Sequence, residues 1–442
     1  MDNSSLKIQN SKFDQRICVI GLGYIGLPTA ALLANRGYKV HGVDVVQSTV
    51  DTINAGNIHI VEPDLDTFVR AAVESGRLKA SLEPAEADVF IIAVPTPFHE
   101  GFVPNIDYVV SATKSIAPYV KEGDIVILES TSPVGTTDKV EEVLAHERPD
   151  LFELETDNLT FKIKHSKLHI AHCPERVLPG HIMRELVEND RIVGGTTPEA
   201  TKAAADFYRT FVVGEVLETD AKTAEMAKLT ENSFRDTNIA FANELSILCD
   251  KFNIDVWELI ALANRHPRVN ILQPGAGVGG HCIAVDPWFI VHAGGEDAKM
   301  IRTAREVNTY KTEWVIEKIK NTVMQLKIEN SKLNITKDPI VALMGLSFKP
   351  DIDDLRESPA LYITQRLTQE LDNVIAVEPN IPLDTPHSKL KINNSKFELK
   401  SLDDALATSD ILVMLVAHKE FKALSTMNQQ SLTMLDFCGV LK

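Results

Sequence analysis

The sequence predicts an α/β protein: two doubly wound domains joined by a long central helix. Three observations carry that prediction. Short apolar runs of strand length alternate with helical patterns from about residue 16 to 215, at the spacing of βαβ units. A helical pattern without Gly or Pro runs from Ala221 to about Asn253. Strand and helix patterns then restart near residue 339. A chain of 442 residues exceeds one ordinary domain. The expected parts are 14–215, a central helical region 216–328, and a smaller α/β domain 336–442.

Composition narrows the partners. The formal charge is -17 and the pI about 5.3, so the chain as a whole repels nucleic acid and anionic lipid. An anionic small substrate would need a local cluster of Lys and Arg. The cysteines (18, 173, 249, 282, 438) are few, odd in number and widely spaced. No pair has metal-ligand spacing, so neither a metal site nor a disulfide frame is expected, and a reducing cytoplasm suits the chain. The opening Met1-Asp2-Asn3-Ser4-Ser5 is polar and no apolar signal core follows. The longest apolar runs, such as Ile411 to Val416, are too short to span a bilayer.

The first domain begins with the run Arg16-Ile17-Cys18-Val19-Ile20, then Gly21-Leu22-Gly23-Tyr24-Ile25-Gly26. A helix pattern covers Leu27 to Arg36, with Gly37 as its stop. A second strand, Lys39 to Asp44, ends in an acid 18 residues past the last glycine. A strand, a GxGxxG turn, a helix and then an acid at a strand end is the Rossmann-like dinucleotide pattern. Gly21 serves the tight turn, Gly23 the approach of pyrophosphate to backbone, and Gly26 close helix–strand packing. Asp44 would accept from ribose hydroxyls and repel a 2′-phosphate, which favours NAD over NADP.

Further strands are expected at Asp88–Pro95, Asp124–Thr131 and Leu168–Cys173, with helices around Tyr108–Val120 and Thr136–His146, giving a parallel sheet. Ligands bind such sheets at the carboxyl ends of strands. Thr96, Thr131 and Glu175 stand at three of those ends. The two threonines could bond cofactor or substrate, and Glu175 could act as acid or base.

On the long helix, Lys228, Asn232 and Arg235 fall at i, i+4 and i+7, on one face. They could meet an anionic ligand, although a solvated face is the commoner meaning of such a trio. After a second helix, Val256 to Ala263, come His266 and Arg268. Then follows Pro274-Gly275-Ala276-Gly277-Val278-Gly279-Gly280-His281-Cys282-Ile283-Ala284-Val285-Asp286-Pro287. Four glycines in seven residues suit a loop that bends sharply or approaches a ligand closely. The loop delivers one thiol, either a covalent nucleophile or a buried structural cysteine. Another long helix is expected from about Ala298 to Gln325.

The last domain carries no GxGxxG, so it need not hold a second dinucleotide. A strand at 339–348, the stretch Lys349 to Pro359, a helix from Ala360, and strands at Val374–Val377 and Ile411–Val416 are expected. Lys349 and Arg356 at the strand-to-helix junction would suit a nucleotide diphosphate, or would simply balance Asp351, Asp353 and Asp354. One oddity is a short repeat: LKIQNSKF at 6–13 recurs as FKIKHSKL at 161–168, LKIENSKL at 326–333 and LKINNSKF at 390–397. Irregular intervals exclude a solenoid. The copies read as spacers at junctions between elements, without a catalytic role.

The stretches GLGYIGLPTAA, IHIVEPDL, AVPTPF, LESTSPVGTT, CPERVLPG, AEMAKLTENSFRDTNIAFANELS, ANRHPRVNILQPG, GVGGHCIAVDPWFI and FKPDIDDLRESPA together resemble the UDP-glucose/GDP-mannose dehydrogenase family over nearly the whole chain. The CPERVLPG and NRHPRVNI versions resemble members acting on UDP-N-acetyl-D-mannosamine. The resemblance implies a four-electron oxidation of a sugar C6 alcohol to a carboxylate, with two NAD and one water. It implies Cys282 as nucleophile, Lys228 and Asn232 as acid–base and oxyanion partners, and Glu175 and Asp286 as managers of protons and water. NAD would meet Gly21, Gly23, Tyr24, Ile25, Gly26, Asp44, Thr96, Thr131 and Arg356. Arg176, Val177, Lys228, Asn232, Arg235, His266, Arg268, Gly279, Phe348 and Lys349 would hold the nucleotide sugar, with His266 and Arg268 reaching in from a second subunit of a homodimer. The resemblance also implies a role in polysaccharide biosynthesis. One departure stands out. The family pattern has a basic residue before a terminal Gly-Val, and here Asp436-Phe437-Cys438-Gly439-Val440 has Cys438.

Overall fold

A computed structural model describes residues 15–157, 160–280, 282–383, 391–392, 395–396, 399–426 and 432–442. His281, the first repeat copy and part of the last copy lie outside these residues. The chain divides into two units, Met1–Thr230 and Glu231–Lys442.

The first unit is built on strands β1 (Arg16–Ile20), β2 (Lys39–Val43), β3 (Leu78–Ser81), β4 (Val89–Ile92), β5 (Ile125–Leu128), β6 (His169–His172), β7 (Arg191–Gly195) and β8 (Val216–Asp220). Their order across the sheet is β8-β7-β6-β5-β4-β1-β2-β3. The parallel run β3-β2-β1-β4-β5-β6 is the doubly wound order expected from the sequence. The sheet departs from a purely parallel one at a single pair: β6 and β7 are antiparallel, Ala171 opposite Gly195. The connection between them holds only the short helix Ile182–Glu188, which reverses the chain instead of crossing over. Strands β1, β4 and β5 are apolar on both faces because helices cover both. One face buries Ile17, Val19, Val89 and Ile127; the other buries Cys18, Phe90, Ile92 and Val126.

Helix α1 (Gly26–Asn35) follows β1 and is buried almost throughout. Helix α2 (Thr136–Glu147) follows β5. Helix α3 (Ala221–Phe252) is the long element expected from the sequence; its first ten residues belong to the first unit.

In the second unit, α4 (Val256–Ala263), α5 (Asp286–Gly294) and α6 (Lys299–Lys332) precede a four-stranded sheet. Its strands β9 (Val341–Met344), β10 (Val374–Val377), β11 (Ile411–Met414) and β12 (Thr433–Asp436) are all parallel, in the order β10-β9-β11-β12. Helix α7 (Pro359–Glu370) connects β9 to β10, with the Ser358 hydroxyl accepting from Leu361 N. The core of this unit packs Val315, Ile316 and Ile319 of α6 against Val341, Leu343, Ile363 and Val413.

Two of the repeat copies lie in regular elements. Copy 161–168 forms most of a strand, Thr160–Ser166, paired antiparallel with Phe152–Asp157. Copy 326–333 continues α6 to Lys332. No Gly or Pro separates Gln325 from the copy, so the helix propagates through it at little cost.

Candidate active site

The glycine turn after β1 shows why three glycines stand there, and the reasons differ. Gly21 has φ of 90°, and a Cβ on it would meet the Ala93 carbonyl oxygen at 2.5 Å. A Cβ on Gly26 would lie 1.8 Å from the Gly21 carbonyl oxygen. Both positions are closed to any side chain by the protein itself. Gly23 is different: a Cβ there meets nothing within 4 Å. That open space lies beside the start of α1, whose first turn has no side-chain cap. A helix N-terminus with uncapped amides and a bare backbone approach suits a phosphate. Asp44 completes the turn. Its carboxylate accepts from Leu22 N at 3.1 Å and Val46 N at 3.0 Å, and it remains half-buried. The residues fit a dinucleotide: uncapped amides for the pyrophosphate and an acid for the ribose. Tyr24 is exposed and Ile25 half-buried.

Two neighbouring strand ends are tied together. The Thr96 hydroxyl donates to the Thr131 carbonyl at 2.6 Å. The Ser130 hydroxyl accepts from Val94 N at 2.9 Å and donates to Val94 O at 2.7 Å. The donor of Thr96 is thus engaged inside the protein, which leaves its oxygen as an acceptor for any ligand. Glu225, on α3, caps α2: it accepts from Gly135 N at 2.6 Å and from Thr137 N and Oγ1 at 2.7 and 2.6 Å. Gly135 is the residue before α2 and brings no cap of its own.

Glu175, just past β6, has both carboxylate oxygens engaged. One oxygen accepts from Arg191 Nη1 at 2.5 Å and the other from Arg176 N at 2.7 Å. Both side chains are buried, Arg191 almost completely. Beside this pair, Glu129 accepts from Tyr208 Oη at 2.7 Å. Burial, then the nearby Glu175 charge, pushes the Glu129 carboxyl upward from its ordinary value. Arg176 donates to the Asp190 carbonyl, and Val177 packs against the apolar core. Lys228 is half-buried on α3.

In the second unit the helix trio splits. Arg235 is exposed, but Asn232 is buried, so this stretch is no uniform solvated face. Asn232 Nδ2 donates to Asp286 Oδ2 at 2.5 Å. Asp286 opens α5, and its own amide donates to the Cys282 carbonyl at 2.8 Å. Two of the residues singled out in the sequence, Asn232 and Asp286, are therefore joined side chain to side chain, and Asp286 is tied to Cys282 through the backbone. Cys282 is half-buried.

The glycine loop before it is pressed against its surroundings. A Cβ on Gly277 would meet Thr312 Oγ1 at 2.2 Å. One on Gly279 would meet the Glu357 carbonyl oxygen at 2.4 Å and Phe348 Cβ at 3.0 Å, and one on Gly280 would meet the Phe348 ring at 2.9 Å. Gly279 and Phe348 are thus neighbours. Arg356 forks onto Asp354, and Lys349 is half-buried. His266 and Arg268 are exposed, with Arg268 N donating to His266 Nδ1 at 3.3 Å.

A buried network anchors the loop from behind, and sequence reading missed it. Arg305 donates to Asp236 at 2.6 Å, Asn308 donates to Asp236 at 2.8 Å, and Asn243 donates to Asn308 at 2.8 Å. Asn243 in turn accepts from Gly275 N at 2.8 Å. These partners lie 32 to 72 positions apart, and no local spacing marks them. Lys311 is another unforeseen group. It is buried with its ammonium 3.9 Å from the Trp314 ring centroid, and burial pushes its pKa down to about 7.

Comparison with known proteins gives one consistent answer. The models of the UDP-glucose/GDP-mannose dehydrogenase family match in three parts: the NAD binding domain at residues 15–212, the central domain at 222–310 and the UDP binding domain at 342–442. A UDP-N-acetyl-D-mannosamine dehydrogenase from Campylobacter jejuni is 55% identical, over 96% of this chain and 99% of that protein. An NDP-N-acetyl-D-galactosaminuronic acid dehydrogenase from Ralstonia nicotianae is 53% identical over 96% of each. Among solved structures, the UDP-N-acetyl-mannosamine dehydrogenase of Staphylococcus aureus superposes with a TM-score of 0.79 at 40% identity, covering 97% of this chain and 95% of that one.

Proposed function

The chain belongs to the UDP-glucose/GDP-mannose dehydrogenase family and is an NAD-dependent nucleotide-sugar dehydrogenase; from that premise we propose that it oxidises UDP-N-acetyl-D-mannosamine at C6 to the uronate through a covalent adduct on Cys282. The observation that carries the covalent reading is the setting of Cys282: a half-buried residue whose carbonyl accepts from the Asp286 amide, just after a loop in which Gly277, Gly279 and Gly280 have no room for a side chain.

Hydride leaves C6 of the alcohol while the hydroxyl proton passes to a base, and an aldehyde forms. The Cys282 sulfur adds to the aldehyde carbon, and the oxygen takes a proton. A second hydride leaves that carbon as the oxygen loses its proton, giving a thioester. Water adds to the thioester carbonyl, the C–S bond breaks, and the carboxylate and thiol are released. NAD held at the Gly21–Gly26 turn would supply the hydride acceptor for each oxidation. We assign Lys228 as acid–base partner of the reacting oxygen, with Asn232 as second donor, held in place by Asp286. Glu175 and Asp286 are assigned to protons and water, Glu175 from within its pair with Arg191. The turn at Gly21–Gly26, with Asp44, Thr96, Thr131 and Arg356, is assigned to NAD. Arg176, Val177, Arg235, His266, Arg268, Gly279, Phe348 and Lys349 are assigned to the nucleotide sugar.

The same reading keeps a NAD-binding domain at 14–215, a central region at 216–328 and a UDP-sugar-binding domain at 336–442. A homodimer through α3 is part of it. What supports the dimer is a row of exposed apolar side chains at helical spacing: Phe234, Phe241, Leu248 and Phe252 are 67%, 52%, 41% and 63% exposed. We place the enzyme in the cytoplasm, in the supply of polysaccharide precursors. No helix among the described residues is long and apolar enough to cross a membrane.

One experiment tests the core of this. NADH formed per sugar is counted with UDP-N-acetylmannosamine, UDP-N-acetylgalactosamine, UDP-N-acetylglucosamine and UDP-glucose, for the native chain and for Cys282→Ala. The native chain should prefer the mannosamine and form two NADH per sugar. Preference for the galactosamine sugar, which the Ralstonia relative's name favours, would move the substrate but not the mechanism. Uronate and two NADH per sugar from Cys282→Ala at near the native rate would end the covalent reading.

A further inference from the structure

The turn that carries Phe348 and Lys349 is held from beneath by a buried histidine that the reaction does not use. His418 is fully buried, just past β11. Its Nδ1 accepts from Asp351 N at 3.0 Å, which places the proton on Nε2, and Nε2 lies 3.2 Å from Glu378 Oε2. That Glu378 oxygen also accepts from Leu346 N at 2.8 Å and Ser347 N at 3.0 Å. Asp351 Oδ1 closes the ring of contacts by accepting from Lys419 N at 3.0 Å. The segment thus clamped, 345–351, has two residues at positive φ: Gly345 at 93°, which costs a glycine nothing, and Asp351 at 62°, which strains an aspartate. A left-handed aspartate persists only where its surroundings hold it.

Asp351, His418 and Glu420 lie within 4.8 Å of one another, a spacing that would also suit a cation. The Asp351 amide already occupies the lone pair of Nδ1, and Nε2 faces Glu378, so the ring has no lone pair left to give a metal.

We propose that His418 is a positioning residue for Cys282. It acts through Phe348: the His418–Glu378 pair sets the 345–351 turn, the turn sets the Phe348 side chain, and Phe348 is the surface against which Gly279 and Gly280 lie. Those two glycines leave only 2.9–3.0 Å between an added Cβ and Phe348, so a shift of the ring moves the loop that presents the thiol. The inference rests on the reading of Cys282 as nucleophile. Misplacement of a reacting group by about 1 Å costs on the order of 100-fold in rate.

The test uses His418→Gln and His418→Ala in the full chain, with melting temperature confirming folding. Three readouts are taken: kcat and KM for UDP-sugar, NAD affinity, and the alkylation rate of Cys282 by iodoacetamide, followed by mass spectrometry of its peptide. The expected result is a kcat lowered by about tenfold or more, NAD affinity unchanged, and an alkylation rate at Cys282 altered several-fold. His418→Gln, which keeps a donor toward Glu378, should fall between native and Ala. Folded variants with native kcat and native Cys282 alkylation would overturn the proposal, and so would a lowered melting temperature with both rates intact. The alkylation readout needs no turnover. It therefore tests the seat of the loop even if Cys282→Ala shows that the thiol is not the nucleophile.

Discussion

The two sheets end their first strands with the same construction and use it for opposite purposes. After β1, Gly21 at φ 90° donates to Val43 O at 2.8 Å, and Leu22 N bonds Asp44 just past β2. After β9, Gly345 at φ 93° donates to Val377 O at 2.8 Å, and Leu346 N bonds Glu378 just past β10. Strand, left-handed glycine, leucine amide and an acid at the next strand end recur in the same order. In the first unit the acid is half-buried and Gly23 stands against open space. In the second the acid is buried, and His418 Nε2 lies 3.2 Å from its Oε2. The second turn has become a structural clamp, and its acid now serves the fold. A glycine turn with a following acid is thus a backbone solution first; it becomes a dinucleotide site only where the acid stays accessible and the second glycine stays bare.

Substituting the glycines should break the likeness most sharply. Gly26→Ala forces a Cβ to within 1.8 Å of a carbonyl oxygen, and Gly345→Ala drives one to 2.5 Å of Val416 Cβ at a positive φ. Each should cost several kcal/mol of stability in its own unit, on the order of the larger effects known for single substitutions. Gly23→Ala meets nothing and should leave the melting temperature within a few degrees, while raising KM for NAD. Native NAD affinity in Gly23→Ala would show that this open space is not where the cofactor approaches.

The paired acids give a smaller and cleaner contrast. Asp44→Ala should raise KM for NAD about tenfold, as befits loss of a charge-assisted hydrogen bond, and narrow the preference for NAD over NADP. Glu378→Ala should leave NAD affinity alone and cost about 3 kcal/mol or more, because buried amides and His418 lose their acceptor. Glu378 also has a pH signature. Burial alone would raise the Glu378 carboxyl, but the bonds from His418 and the Leu346 amide outweigh it and hold it below its ordinary value of 4.5. A depressed acid contributes its full stability above that value and loses it as pH falls through the folded-state pKa. Acid unfolding should therefore begin at lower pH in the native chain than in a folded Glu378→Gln variant made as a milder test. Coincident acid transitions would show that the Glu378 bonds contribute nothing net.

The contrast also marks what the sequence could reveal. The first turn was legible because GxGxxG and Asp44 lie within one βαβ unit, at spacings that backbone geometry dictates. Glu378 was not, because no glycine signature draws attention to it and its partner His418 lies 40 positions away. The Glu175–Arg191 pair and the Asp236–Arg305 pair were hidden for the same reason: burial and partner choice are tertiary facts. The helix trio was read as one face, but only packing decides that Asn232 turns inward to Asp286 while Arg235 stays exposed. The two described copies of the repeat are a further case. FKIKHSKL is strand because Phe152–Asp157 offers a pairing edge, and LKIENSKL is helix because α6 runs into it without a breaker. Local sequence leaves both states open, and the neighbours choose.

The smallest effect should come from the copy at 390–397, the one placed after β10 and therefore past the Glu378 turn. The structure describes only Lys391–Ile392 and Ser395–Lys396 of it, which pair with each other as a two-stranded ladder. A two-stranded ladder paired only with itself adds little stability. Loop closure costs only roughly 0.6 kcal/mol more per doubling of length, so a linker of equal length adds almost no closure cost. Replacing residues 389–396 with a Gly/Ser linker of equal length should therefore lower stability by under about 1 kcal/mol and leave kcat, both KM values and the NADH count per sugar unchanged. The turn itself bounds this expectation, because Gly345, Leu346, Ser347 and Glu378 make their bonds without the copy. If the linker variant keeps its melting temperature and yet loses activity, the copy has a functional role and its reading as a passive insertion is wrong.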